Sequence, residues 1–384
     1  MKVIYSTQST VECCNGSYYN NSVNSTYKRY LVLGEDMTVI CHSKNTKHPT
    51  SDEILDDRIH FAFIKKINSI DTLLKFKKSN NNIIEQQVKN TDVCVIHLPN
   101  IHGYNVIKYA EKYNKPYITV IGGCPWDGYW NYNWIGKLIA PYYYFKLRHA
   151  QEKALYTIYV TQRFLQNRYP TKGLSIGCSN VNMSTGDNNV LEQRLKKIET
   201  NNSLNQVLKI GTAAAIDVPY KGQRYIIEAV ARLKSIGINY EYHLAGRGDA
   251  TNLKTLVEKL GINDRVYFHG ELPHGDILKF IDKLDVYAQP SKQEGLPRSV
   301  IEAMSRGYLC LGSDIAGIPE LLDKEYLFKK GDVSQIVNIL KNITYDKLLQ
   351  QAKRNFNVAK NYDKDVLNKR RADFLLQFKK SFSK

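Results

Sequence analysis

The stretch Ser291-Lys-Gln-Glu-Gly-Leu-Pro-Arg-Ser-Val-Ile-Glu-Ala-Met-Ser-Arg-Gly307 decides how the rest of the chain is read. An apolar run, Asp285-Val-Tyr-Ala-Gln289, precedes it and reads as a strand. The chain then turns at Pro290 and Gly295 and enters a helix at Pro297. Proline suits the first helical turn, where its missing N–H would have had no intrahelical partner. Val300, Ile301 and Met304 recur on one helical face, and Gly307 supplies the stop. The stretch is therefore a strand–loop–helix unit, with Glu294 in the loop and Glu302 in the second helical turn. A helix N-terminus at the end of a parallel strand is an anion site. Glu302 is placed to accept hydrogen bonds from both hydroxyls of a ribose, so the unit suits a nucleotide diphosphate. Taken alone, two glutamates eight residues apart read as a solvated helix face.

The second half of the chain repeats the strand–loop–helix pattern. Val207-Leu-Lys-Ile-Gly211 is a strand, followed by Pro219-Tyr-Lys-Gly222 and a helix whose Ile226, Val230 and Leu233 form one stripe. Tyr240-Glu-Tyr-His-Leu-Ala-Gly246 runs into Arg247-Gly248, and Arg265-Val-Tyr-Phe-His-Gly270 is the next strand. After the opening stretch comes Asp314-Ile-Ala-Gly-Ile-Pro-Glu320. This ordered set resembles the donor-binding signature of the retaining glycosyltransferases of family 4. The resemblance implies a GT-B fold: two Rossmann-like, doubly wound parallel-sheet α/β domains facing a cleft, with a last helix crossing back to the first. The implied division is 1–182 for an acceptor-side domain, 183–206 for a polar linker around a short charged helix, 207–363 for the nucleotide-sugar domain and 364–384 for the crossing helix.

In the first half, Lys2–Tyr5, Thr38–Cys41, Ile59–Ile64, Asp92–His97 and Pro116–Ile121 read as strands, with a helix over Gly103–Lys112. Glu12–Ser25 reads as a polar loop around Gly16. Ligands bind at the carboxyl ends of such strands, which puts His97 and the segment Gly122-Gly-Cys-Pro-Trp-Asp-Gly-Tyr-Trp-Asn131 on a rim. That segment, with Trp126, Asp127 and Trp130 among three glycines, is expected to be irregular. Aromatic faces with polar groups between them suit sugars, although an aromatic core loop explains them as well. The stretch 134–156 mixes aromatic, aliphatic and basic residues. It reads either as a buried helix with snorkelling lysines or as a face for an anionic membrane.

Composition limits the alternatives. At 384 residues, two domains are expected. The net charge of +17 is spread along the chain without a nucleic-acid motif, so nucleic acid is not an expected partner. Seven scattered cysteines without a CxxC pair indicate neither a zinc site nor a disulfide framework and suggest a reducing compartment. The N-terminus lacks a signal-peptide core, and no apolar run approaches the ~18 residues needed to span a bilayer. The expected location is cytoplasmic, or peripheral on the inner membrane face.

The family resemblance implies roles for particular residues. Lys221, Arg247, Gly248 and the helix start at Leu296, Pro297, Arg298 and Ser299 would hold the donor diphosphate, and Glu302 the ribose. Glu294 would bind a donor sugar hydroxyl, so that Lys221, Glu294 and Asp127 form the expected catalytic set. Gly16, His97, Trp126, Asp127 and Trp130 would line the acceptor and sugar side. A UDP-, GDP- or ADP-sugar donor and a saccharide or lipid-linked acceptor follow from the same resemblance; no metal-ligand cluster or Asp-x-Asp signature stands out in the sequence, so no metal or other cofactor is expected. The sequence departs from the family at Gly211-Thr-Ala-Ala-Ala215, where an arginine usually follows the glycine. Arg224, Arg247 and Arg298 are the candidates to replace it. A dinucleotide-dependent oxidoreductase lacks its Gly-x-Gly-x-x-Gly here, and a non-catalytic sugar- or nucleotide-binding protein would need neither Lys221 nor Glu302.

Overall fold

The computed structural model describes residues 1–67, 69–203 and 207–382, which form two compact units. The first holds Met1–Trp126, Ala140–Asn182 and the chain from Leu367 onward; the second holds Asp127–Ile139 and Met183–Val366.

The first unit is built on strands β1 (Lys2–Cys14), β2 (Ser17–Tyr19), β3 (Asp36–Asn45), β4 (Ile59–Phe63), β5 (Val93–Leu98), β6 (Tyr117–Ile121), β7 (Tyr156–Tyr159) and β8 (Leu174–Gly177). They run parallel in the order β4-β3-β1-β5-β6-β7-β8, with β2 folded back antiparallel on β1. Their near-continuous apolar runs fit a sheet covered on both faces, and Val39, Ile40, Val95, Ile96, Ile118 and Val120 are fully buried. The loop expected over Glu12–Ser25 is instead the end of β1, a turn and β2. Asn15 (φ 49°) and Gly16 (φ 86°) make that turn, and Asn-Gly with both residues at positive φ is the signature of a two-residue hairpin.

The last helix, Lys364–Phe382, completes this unit. Phe374 and Phe378 pack on Tyr156, with ring centroids 5.6 and 5.0 Å away, and the buried Arg371 donates to the Ser179 carbonyl at 2.8 Å.

In the second unit, β9 (Leu208–Ala213), β10 (Tyr240–Ala245), β11 (Val266–Phe268), β12 (Val286–Gln289), β13 (Leu309–Ser313) and β14 (Leu327–Phe328) form a parallel sheet ordered β11-β10-β9-β12-β13-β14. The order reverses between β9 and β12, and at such a switch point the loops leaving the two strands open a crevice at their carboxyl ends.

The span 183–206 is not a bare linker. Residues Asn188–Ser203 form a helix of the second unit. Its Ile198 joins the core with Leu191 and Leu195 packed beside it. Arg194, only 4% exposed, lies with its guanidinium 4.0 Å from the Tyr308 ring and donates to the Asp285 carbonyl at 2.7 Å. Burial pushes the neighbouring Lys197 ammonium down to about 8. A polar composition concealed a stripe at i, i+4 and i+7. Residues 204–206 of the expected linker lie outside the described residues.

Two histidines of the first unit carry a prediction for stability. Burial pushes His102 down to about 4, with His42 adding to the effect, and pushes His97 down to about 4 as well. His102 is 3% exposed and its Nδ1 has no hydrogen-bond partner. The unfolded state takes up protons near pH 6.5, before the folded state does. The stabilising difference is therefore complete above about pH 6.5 and is lost as the pH falls toward 4, by up to ~3 kcal/mol for His102. Urea titrations between pH 7.5 and 4.5 are expected to show this loss, and His102→Gln to flatten it. An unchanged slope in that variant would contradict the assignment.

Candidate functional site

The carboxyl ends of β9 and β12 bring together the parts that the sequence placed about seventy residues apart. After β9, the chain makes one turn of 3-10 helix over Pro219–Lys221 and enters the Gln223–Ser235 helix through Gly222. Gly222 has φ 74°, and a Cβ there would overlap the Pro290 carbonyl oxygen. Only glycine allows this close approach of the two loops. The Lys292 N–H donates to the Tyr220 carbonyl at 2.7 Å, which fixes the second loop against the first.

The ammonium of Lys221 lies 2.7 Å from Glu294 Oε1. The same oxygen accepts from Ser291 Oγ at 2.7 Å and from Gln289 Nε2 at 3.0 Å. Gln289 and Ser291 are buried, so they act as a rigid floor beneath the carboxylate. Gln289 Oε1 in turn accepts from Ser299 Oγ at 3.1 Å, in the first turn of the Arg298–Ser305 helix. One network thus joins Lys221, Glu294 and that helix start. An ammonium has three N–H donors and Glu294 takes one, so Lys221 keeps donors for an anionic ligand while it orients Glu294.

The Arg298–Ser305 helix begins after Pro297, which makes no side-chain cap. Its first N–H groups and the dipole of the helix favour an anion. Leu296 and Pro297 are buried beneath this start. Glu302, one turn further on, is half-buried and contributes negative charge near Tyr287, whose hydroxyl burial already pushes well above its usual range.

Thr212, which follows the Gly211 after which the resemblance led one to expect an arginine, is buried. Its hydroxyl donates to the Ala288 carbonyl at 2.8 Å and lies 2.9 Å from the Tyr242 hydroxyl, tying β9 to its two neighbours. Of the candidate replacements, Arg224 is held by Glu228 at 2.9 Å. Arg247 and Arg298 are exposed and form no ion pair among the described residues. Gly248 (φ 115°) sits where a Cβ would meet the Asp217 carboxylate, so the Arg247–Gly248 turn lies close over Asp217.

The segment 122–131 departs from expectation, since Pro125–Trp130 is a helix. Pro125 opens it as a first-turn proline does, and the glycines had suggested a loop. Asp127 stands in its first turn. From Asp127 to Ile139 the chain belongs to the second unit rather than to the acceptor-side domain expected over 1–182. Asn131, a residue that the sequence did not single out, explains part of this. Its Nδ2 donates to the Asp127 carbonyl at 2.8 Å and to the Lys292 carbonyl at 3.3 Å, and its Oδ1 lies 3.4 Å from Lys330 Nζ. Asp127 is thereby anchored to the loop that carries Glu294. Trp130 is 40% exposed, with Lys137 Nζ 5.9 Å from its ring.

The remaining candidates lie in the first unit. Trp126 packs edge-on against Tyr144, 5.8 Å between centroids. His97, next to last in β5, lies against Gly122, where a Cβ would come within 2.7 Å of the imidazole. Gly16 is at the tip of the β1–β2 hairpin with open space around it, so its positive φ is accounted for by the turn. Among the described residues no group of three or more His, Cys, Asp or Glu side chains could hold a metal ion.

Residues 193–361 match the family described as glycosyl transferases group 1. Over 99% of its length the chain is 27% identical to protein CapJ of Staphylococcus aureus, covering 96% of that protein. It is 31% identical, over 39% of each protein, to the amylovoran biosynthesis glycosyltransferase AmsK of Erwinia amylovora. Among solved structures, HepE of Anabaena in complex with UDP superposes with a TM-score of 0.68 at 16% identity, covering 98% of this chain and 100% of that one. Sucrose-phosphate synthase of Thermosynechococcus elongatus superposes with a TM-score of 0.71 at 12% identity, covering 99% of both chains.

Proposed function

We propose that this chain, with its GT-B fold, is a glycosyltransferase of group 1 that moves a sugar, with retention of anomeric configuration, from a nucleoside-diphosphate donor to an acceptor hydroxyl. The observation that carries this reading is the network joining Lys221, Glu294 and the start of the Arg298–Ser305 helix.

Lys221 and the helix N-terminus hold the departing diphosphate, with Arg247 and Arg298 supplying the cationic charge that position 212 lacks. Glu302 takes the ribose hydroxyls. Glu294, fixed through Oε1, presents its other oxygen to a hydroxyl of the donor sugar, and Asp127 faces the reacting sugar from the Asn131 anchor. Preorganised donors aimed at developing charge need no reorganisation during the reaction. The leaving phosphate takes the acceptor proton on the same face, so neither a protein nucleophile nor a metal is required. A place in bacterial surface polysaccharide synthesis, at the cytoplasmic side of the membrane, fits the relative named as an amylovoran biosynthesis glycosyltransferase.

Proton NMR of the glycoside made from an α-linked donor tests the stereochemistry. An α-product is expected, and a β-product as the first product formed would overturn the proposal.

A further inference from the structure

Three guanidinium groups converge on residues 177–182, where the chain leaves β8. Arg371, in the Lys364–Phe382 helix, is 1% exposed and donates through Nη2 to the Ser179 carbonyl at 2.8 Å. Arg29, in the 3-10 helix Tyr27–Leu33, is half-buried and donates to Asn182 Oδ1 at 2.9 Å. Arg370 donates to the Gly177 carbonyl at 3.2 Å. All of these residues belong to the first unit. Their acceptors are neutral, so hydrogen bonding leaves the cationic charge uncancelled.

Arg371 and Arg29 also keep buried N–H groups without a partner among the described residues, at Nε and Nη1 of Arg371 and at Nη1 of Arg29. Neither forms an ion pair with a carboxylate among those residues. Burial, followed by the Arg371 charge, pushes the Arg29 guanidinium down to about 10, so both arginines stay charged at neutral pH. The other groups that act on the Arg29 charge are Tyr30, Cys178 and Tyr5. Burial raises the pKa of all three. They therefore remain neutral and supply no counter-charge. The Tyr5 and Tyr30 rings, 5.2 Å apart between centroids, add apolar surface. An uncompensated buried charge is strongly destabilising, and here two cations share one such setting.

We infer that Arg29 and Arg371 bind a phosphate group, carried by inorganic phosphate or by a phosphate monoester. The guanidinium is planar, permanently charged and matched to phosphate oxygens. Near neutral pH a phosphate brings close to two negative charges, which balance the two cations, and its oxygens accept from the N–H groups that the protein leaves over. Chloride or a single carboxylate brings half that charge. The half-buried Arg29 gives the ligand its way in from solvent. A phosphate held by both residues ties the last helix to the 3-10 helix Tyr27–Leu33 near the start of the chain. None of these residues belongs to the loops after β9 and β12, so the site is independent of the proposed chemistry.

Thermal melts of the full chain in millimolar inorganic phosphate, against sodium chloride at equal ionic strength, test the site. Wild type is expected to melt about 3 °C or more higher in phosphate. A larger shift with glycerol 3-phosphate identifies an ester as the better ligand, and an equal or smaller one identifies phosphate itself. Arg29→Gln is expected to lose most of the shift. Arg371→Met is expected to lose it as well, with little loss of stability in chloride, because the change also removes an unbalanced buried charge. Should that variant not fold, Arg29→Gln decides alone. Lys221→Ala is expected to keep the shift, which separates this site from phosphate bound at the loops after β9 and β12. A wild-type shift no larger than that in chloride would overturn the inference. So would a shift that survives Arg29→Gln, or one that Lys221→Ala abolishes.

Discussion

Lys221→Ala is expected to lower nucleoside-diphosphate release by about two to three orders of magnitude, the loss seen when a preorganised charge-stabilising donor is removed. Lys221 acts twice in this site. It faces the diphosphate, and its 2.7 Å contact orients Glu294. Removing it leaves the carboxylate on Ser291 and Gln289, so the fold should survive while kcat falls. Lys221→Arg keeps the charge but replaces a compact three-donor ammonium by a planar fork, and an intermediate rate is expected. Donor kinetics beside a thermal melt separate the two effects. A lower melting temperature with intact turnover would mean that the pair is only structural.

Glu302→Ala should act on binding rather than on the chemical step. A hydrogen bond to a charged group contributes about 1.5–3 kcal/mol, so KM for the donor is expected to rise by about ten- to a hundredfold, with kcat much less affected. A donor lacking the ribose hydroxyls should bind wild type and variant alike, because the lost contact no longer exists in either. If the variant still discriminates between the two donors as wild type does, Glu302 does not hold the ribose. The substitution also removes negative charge near the buried Tyr287. A melt of the variant is therefore needed before the KM change is attributed to the ligand.

The second unit was legible because each of its elements is punctuated. Gly222, Gly237, Gly246, Gly261 and Gly307 all adopt positive φ at the ends of strands or helices, and the stripes between them keep a helical period. The switch point between β9 and β12 could not be read from the order of segments alone, since strand neighbours depend on which crossovers pack on which face. The helix inside 183–206 was legible as a short charged one, but its asparagines and charges hid its full span, 188–203, and the Leu191, Leu195 and Ile198 stripe that packs it into the core. Asn15-Gly16 was a turn signal available in the sequence that a generally polar stretch diluted. The 134–153 helix was legible as a helix, but the sequence left open which of its faces is buried. An apolar stripe is ordinarily read as the inward face, but here Gly136, Ala140 and Ala150 allow close packing on the other side and leave the aromatics outside. Asn131 carried no signal, because its role depends on the approach of Lys292 in space.

The central claim, that the loops after β9 and β12 form the donor site of a sugar-nucleotide transferase, is tested most directly by donor turnover. Nucleoside-diphosphate release should be measured for the wild-type chain and Lys221→Ala side by side across UDP-, GDP- and ADP-sugars. The folded wild-type protein is expected to turn over at least one of these donors, and the variant to lose that activity. Failure of the wild-type protein to bind or turn over any of them, or equal rates for the two proteins, would contradict it.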